Sequence, residues 1–360
     1  MSIGTEVESQ NGSANGRPTP VPPRALLGRD PLLEVELTEH EQAAAAEALE
    51  SGFLTAVEQA EIAPESEDFF DAAEVIDGAL PHRARAALVG LRRRALHAVV
   101  IRGLPSDADP GPTPTHNGEL PAPPRRGNAW LAMAVRRLGD EFAYQMEKKG
   151  ATVHNIHPTH EGAKTQSNAS FTVDLSLHTE NAFHPLRPDY VCLYCVRSTA
   201  EAPGTRLVML DDILARLTDE EIAVLREPRF TIRVVDSHKA EGEADIELPV
   251  TPLTGSPRRP QIRWHETLRA NDNIAAKVAA AFADAAHDAT RHVSLHQGDL
   301  LAFANHTCLH GRDAFDAQLD GSDRWLIRGY ALRDRTHTEP YVAPARPRVT
   351  RVDLAAVAAG

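Results

Sequence analysis

Three residues of this sequence have the types and spacing to hold a metal ion. His178 and Glu180 lie two apart in Ser176-Leu177-His178-Thr179-Glu180-Asn181. Alternate residues of an extended chain face one side, so an imidazole and a carboxylate project together there. A second imidazole comes from His310, in Asn305-His306-Thr307-Cys308-Leu309-His310-Gly311-Arg312. Two histidines and one carboxylate leave coordination positions open. That is the ligand set of a mononuclear non-haem iron(II) centre that admits a substrate and O₂. The His-x-Glu pair alone carries little weight, because the chain has 17 histidines.

Two arginines downstream narrow the chemistry. Arg324 and Arg328 follow His310 by 14 and 18 residues (324 − 310, 328 − 310) in Arg324-Trp325-Leu326-Ile327-Arg328. Four apart in a strand, they face the same side. An inward guanidinium is costly unless it meets a carboxylate, whose two oxygens its planar fork matches. A pocket that takes two carboxylate-bearing small molecules accounts for both.

The segments HTENAFHPLRPDY (178–190), NHTCLHGRDAF (305–315) and RWLIRGYAL (324–332), in that order, resemble the clavaminate synthase-like branch of the iron(II)/2-oxoglutarate dioxygenases. The resemblance covers roughly residues 130–333. The branch includes bacterial hydroxylases of free arginine, asparagine and lysine. The resemblance implies an α+β fold with a double-stranded β-helix (jelly-roll) core and flanking helices. It implies Fe(II), 2-oxoglutarate and O₂ as cofactors, with His178, Glu180 and His310 as metal ligands and no catalytic residue beyond the metal centre. It assigns Arg324 to the far carboxylate of 2-oxoglutarate, assisted by Thr205 of Ala202-Pro203-Gly204-Thr205, and Arg328 to the α-carboxylate of an amino acid. The family often uses a glutamine for the substrate ammonium group. This chain offers His154 in that strand, with Glu147 upstream as an anionic partner that could substitute for it. Asn305 and Arg312 are read as scaffolding.

The implied reaction is hydroxylation of a free L-amino acid at C3 or C4, giving the hydroxy-amino acid, succinate and CO₂. The acids Asp236, Glu241, Glu243, Asp245 and Glu247 tilt the reading towards lysine or arginine. The alternatives are oxidative cyclisation or desaturation at the same site, or a non-catalytic jelly-roll binding protein. A zinc hydrolase would need a general base beside the open position, and none is evident.

The elements that must position these residues are mostly short strands. Candidates are 97–104, 151–156, 171–177, 190–197, 206–209, 230–235, 261–264, 292–296, 300–304 and 325–333. Helices are expected over 38–54, where Thr38 and Glu41 can form a capping box, and over 81–96, 130–147, 211–226 in two pieces, and 274–290. Many short strands with few helices between them fit a barrel or sandwich rather than a doubly wound sheet. The Pro- and Gly-rich stretches 105–127 and 236–260 are lid candidates. The expected organisation is a disordered arm over 1–31, a single domain over 32–335 and a tail over 336–360.

Composition sets the outer limits. Hydrophobic residues make up 42% and charged residues 25% of the 360, enough for a buried core. The formal charge of −13 argues against a nucleic-acid partner and suits a small, cationic substrate. Three cysteines make no disulfide framework. Cys192 and Cys195 form a Cys-x-x-Cys inside an apolar run, which reads as a buried strand rather than a redox motif. No leader or membrane span is visible. The expectation is a cytoplasmic protein with reduced thiols, compatible with a homo-oligomer.

Overall fold

The computed structural model describes residues 30–119, 121–239, 242 and 244–359. The arm expected over 1–31 therefore lies almost wholly outside the described residues. The chain is α+β. One seven-stranded sheet runs in the order Leu32–Glu36, Ala98–Arg102, Leu300–Ala304, Tyr190–Arg197, Trp325–Leu332, Asp140–Glu141, with Val153–Ile156 also paired to Trp325–Leu332. A four-stranded sheet runs Arg291–Ser294, Gly204–Met209, Cys308–Arg312, Leu175–His178.

The alternation of side chains along the central strands shows how the layers stack. Cys192, Tyr194 and Val196 pack with Trp130 and Leu131 of the Arg125–Leu138 helix and with Phe53. Their neighbours Val191, Leu193 and Cys195 pack on the other face with Leu207, Met209 and Cys308 of the four-stranded sheet. Both faces of the Tyr190–Arg197 strand are thus buried, which is why VCLYCV is a continuous apolar run. Cys192, Cys195 and Cys308 are all buried free thiols, and burial pushes Cys195 and Cys308 up to about 12.

The helical regions follow their local signals, with three departures. Thr38 and Glu41 do form a capping box, but the helix Glu39–Ala48 passes into a π-helical turn, Leu49–Leu54, before Thr55–Gln59. A helix at Glu67–Val75, capped by the Ser66 hydroxyl accepting from the Phe69 N–H, and a strand at Leu32–Glu36 were not expected. The helix expected over 130–147 begins at Arg125 and stops at Leu138. The cause is Gly139: a Cβ there would sit 2.0 Å from the Leu332 carbonyl oxygen. The backbone passes so close because Asp140–Glu141 pairs with Ala331–Leu332.

Two stretches read as loop or tail carry structure. Within 236–260, Glu247–Val250 pairs with Phe230–Arg233, and Leu253–Ser256 forms a hairpin with Arg259–Ile262. The inward Leu248 and Val250 explain the first pairing. Within 336–360, Arg346–Thr350 pairs in parallel with Ala143–Tyr144 and so joins the fold. Among the described residues no helix is long and apolar enough to cross a membrane.

The close approach at Gly139 makes a prediction. Gly139→Ala should lower stability by roughly 2–3 kcal/mol, since backbone rather than a flexible side chain must move. Gly52→Ala, with nothing within 4 Å of the added methyl, should be neutral or stabilising by up to about 1 kcal/mol. Urea unfolding of the two variants checks this; equal effects would contradict it.

Candidate active site

The Leu175–His178 strand ends at the site and pairs with Cys308–Arg312, placing His178 directly opposite His310. Their rings lie 4.1 Å apart. Glu180 follows on the turn beyond the strand, where Asn181 takes a left-handed φ of 49°. Asn305 fixes that turn: its side-chain oxygen accepts from the Glu180 N–H at 2.7 Å, and its amide donates to the carbonyls of Glu180 and Pro188. Ligand atoms of His178, Glu180 and His310 all fall within 4.8 Å of one another.

The protonation states suit a cation. The His178 Nδ1–H donates to the Ser176 carbonyl at 2.8 Å, which leaves Nε2 with a free lone pair. Burial, then the neighbouring His310, pushes the His178 pKa down to about 3, so it is neutral at pH 7. Burial would raise the Glu180 carboxyl, but Arg328 and His310 outweigh it and hold the group well below the usual range. The His310 Nε2 approaches Glu180 at 3.4 Å. Two imidazoles and one ionised carboxylate, open on one side, fit a divalent metal of the iron(II) type.

The two arginines have different surroundings. Arg328 donates from Nη1 to Glu180 at 2.9 Å and from Nη2 to Glu147 at 2.5 Å, and its guanidinium lies 4.8 Å over the Tyr330 ring. The Tyr330 hydroxyl also donates to Glu147, at 3.2 Å. Arg324 is 5% exposed, yet its guanidinium makes no hydrogen bond or ion pair among the described residues, and its Nε is buried without a partner. The Thr205 hydroxyl is likewise buried and has no partner among the described residues.

A cavity of about 750 Å³ joins these groups. His178, Glu180, His310, Arg324, Thr205, Arg328 and Glu147 all line it. His154, expected against the substrate, is not among the lining residues. It sits beside Arg328, as its direct cross-strand partner, and accepts from Nη2 at 2.9 Å through Nδ1 while Nε2–H donates to the Ala151 carbonyl. Burial pushes it down to about 4, so it is a neutral prop for the guanidinium.

The lid acids are also differently engaged than expected. Lys239 pairs with Asp236 at 2.9 Å and with Asp245 at 2.6 Å, and Arg233 approaches both. Glu247 is in a strand, and Glu241 and Glu243 lie outside the described residues. The loop is rooted by His238, 5% exposed and packed on the rings of Phe183 and Tyr144. Asp236 and Ser237 line the cavity, as does Asn117 of the 105–127 stretch. The wall residues Lys148, Arg233, His265 and Glu266 were not anticipated. They come from turns and strand ends, where no periodicity marks them; Gly150, after two lysines, was the available sign of a left-handed turn.

Residues 61–330 match the family described as taurine catabolism dioxygenase TauD, TfdA family. The chain belongs to the TauD/TfdA dioxygenase family. This dioxygenase is 35% identical to an L-asparagine oxygenase of Streptomyces coelicolor, over 75% of this chain and 82% of the relative. It is 33% identical to an L-lysine 3-hydroxylase of Catenulispora acidiphila, over 74% and 76%. Its structure is similar to that of an asparagine oxygenase in complex with Fe(II), 2S,3S-3-hydroxyasparagine and succinate. The TM-score is 0.81 at 29% identity, covering 89% of this chain and 99% of that one. These relatives form the amino-acid hydroxylase branch of the iron/2-oxoglutarate oxygenases, to which this dioxygenase belongs.

Asn305 offers a test of the ligand geometry. Asn305→Ala is expected to weaken divalent-metal binding by roughly 10–100-fold, because the turn carrying Glu180 loses its anchor. Titration of the purified protein with iron(II) or manganese(II), monitored by calorimetry, reads this. Unchanged affinity would show that the turn is held by other contacts.

Proposed function

We propose that this dioxygenase hydroxylates a free L-amino acid with a basic side chain, lysine or arginine, at C3 or C4, using iron(II), 2-oxoglutarate and O₂. The scaffold is read as a double-stranded β-helix, a single catalytic domain over 32–335 to which the Arg346–Thr350 strand is added. The observation that carries the reading is the unequal pair of arginines on one cavity wall. Arg324 is buried and, among the described residues, unpaired on the cavity that the unpartnered Thr205 also lines, so an anion from outside would complete it. Arg328 is held beside the metal ligand Glu180, within reach of a second anion.

His178, Glu180 and His310 would hold the metal. Iron bound there supplies O₂ activation coupled to oxidative decarboxylation of 2-oxoglutarate to succinate and CO₂, with the oxidising power for one C–H bond. The protein's own part is position. Arg324 would fork onto the far carboxylate of 2-oxoglutarate, with the Thr205 hydroxyl as a further donor. Arg328 would take the substrate α-carboxylate on the edge it now shares between Glu180 and Glu147, while Glu147 accepts from the ammonium group. His154 keeps Arg328 in register. A carboxylate clamped beside the ligands brings Cβ, then Cγ, nearest the metal, hence C3 before C4.

The support for a basic side chain is the lysine-hydroxylating relative and the acidic wall residue Glu266, whose carboxylate accepts from the Ser176 hydroxyl at 3.3 Å. Asp236 and Asp245 could serve only by giving up Lys239.

Incubation with iron(II), 2-oxoglutarate, ascorbate and a panel of free L-amino acids tests the reading. Lysine or arginine should stimulate succinate release and gain one oxygen. A product that loses two hydrogens instead would indicate cyclisation or desaturation, and succinate unaffected by every amino acid would overturn the proposal. Arg328→Ala should raise KM for the amino acid by roughly 10–100-fold, and Arg324→Ala should do so for 2-oxoglutarate, each about the loss of a charge-assisted hydrogen bond. The reverse pattern would exchange the two roles.

A further inference from the structure

The turn that follows Glu147 is one the chain would not adopt unaided. Lys148, Lys149 and Gly150 have consecutive φ angles of 47°, 58° and 76°. L-residues enter this left-handed region reluctantly, and lysine has no short polar side chain to stabilise itself there. Besides its own bonds from the Gly150 N–H to the Glu147 carbonyl and from the Ala151 N–H to the Lys148 carbonyl, the turn has an outside contact, and it comes from the far end of the chain. Arg346 donates to the Gly150 carbonyl at 2.9 Å, to the Lys149 carbonyl at 3.4 Å and to the Gln145 side-chain oxygen at 3.3 Å. The Gln145 N–H donates to the Thr350 carbonyl at 2.8 Å, and the Thr350 hydroxyl donates to the Ala143 carbonyl at 3.1 Å. Val349 lies so close to the turn that a Cβ on Gly150 would fall 2.8 Å from its Cγ1.

Backbone on both sides of Glu147 is therefore bonded to one short strand, Arg346–Thr350. That strand has its own anchor away from the cavity, where Arg348 pairs with Asp71 at 2.8 Å and with the buried Glu141 at 3.1 Å. Glu147 itself points the other way, to Arg328 and Tyr330. We propose that Arg346–Thr350 is a strap that sets the position of Glu147 in the substrate pocket, with Arg346 as a positioning residue. The proposal rests on the assignment of Glu147 to the substrate ammonium group. Arg346 touches neither the cavity nor the proposed metal ligands, so its effect on substrate must pass through the turn.

The test uses the full-length, iron(II)-loaded enzyme with saturating 2-oxoglutarate and with L-lysine and L-arginine as probes. Arg346→Ala should raise KM for the amino acid that responds by about fivefold, the scale of one hydrogen bond's worth of positioning. KM for 2-oxoglutarate should not change. Hydrogen–deuterium exchange should quicken at residues 145–151 and not at 175–180. Arg346→Lys, which can reach one carbonyl at a time, should fall between. Glu147→Gln separates the two layers of the argument. If it leaves the amino-acid KM unchanged, the assignment of Glu147 fails. If it raises KM and Arg346→Ala does not, the strap fails. In the Glu147→Gln background Arg346→Ala should add nothing, and an additive effect would overturn the proposal. Unchanged exchange at 145–151 would overturn it whichever amino acid responds.

Discussion

The buried pairing of Arg328 with Glu180 and Glu147 is the constraint to which the surrounding structure answers. Two carboxylates and one guanidinium sum to −1 (−2 + 1), and the imidazoles beside them are neutral because burial lowers His178 to about 3 and His154 to about 4. Charges removed from water are tolerable only when each meets partners in good geometry. Arg328 therefore stands on a strand flanked on both sides, by Tyr190–Arg197 and by Val153–Ile156, the latter supplying His154. Tyr330, two residues on, gives its ring to the guanidinium and its hydroxyl to Glu147. The residual negative charge suits a divalent cation between the two imidazoles and Glu180.

Arg324 obeys the opposite logic. It is as buried as Arg328, but no side chain of the described residues neutralises it. Leaving a guanidinium unpaired in a protein interior costs stability unless a ligand completes the site. Of the two inward arginines on one cavity, one is satisfied internally and the other has no partner among the described residues. On the proposed reading, the first would meet a molecule that displaces or shares existing contacts, and the second one that fills a gap, as a cosubstrate would.

Much of this was legible in the residues. The His-x-Glu spacing marked His178 and Glu180, although Glu180 lies on the turn beyond the strand rather than within it, and His310 comes from a strand that pairs with Leu175–His178. The strands Tyr190–Arg197 and Leu300–Ala304 have the expected bounds because both of their faces are buried, which leaves an unbroken apolar run. What could not be read depends on partners distant in sequence. The helix stops at Gly139 because the Leu332 carbonyl lies against it. His154 is bonded to Arg328 because cross-strand register sets the two side by side, which a list of polar residues does not reveal. The acids of the 236–260 stretch looked available for substrate, and Lys239 and Arg233 already occupy Asp236 and Asp245. The two-residue strand Ala143–Tyr144 has too few residues for any pattern, so its pairing with the chain's last strand left no local trace.

The division of labour between the two arginines is the centre of the account, and binding of 2-oxoglutarate in the absence of oxygen tests it most directly. Anaerobic titration of the iron(II)-loaded protein with 2-oxoglutarate, followed by the charge-transfer absorption that arises when it chelates the metal, isolates this step from turnover. The account predicts saturable binding in the natural protein, retained in Arg328→Ala and strongly weakened in Arg324→Ala. Undiminished binding in Arg324→Ala, or its loss in Arg328→Ala with the metal still bound, would contradict it.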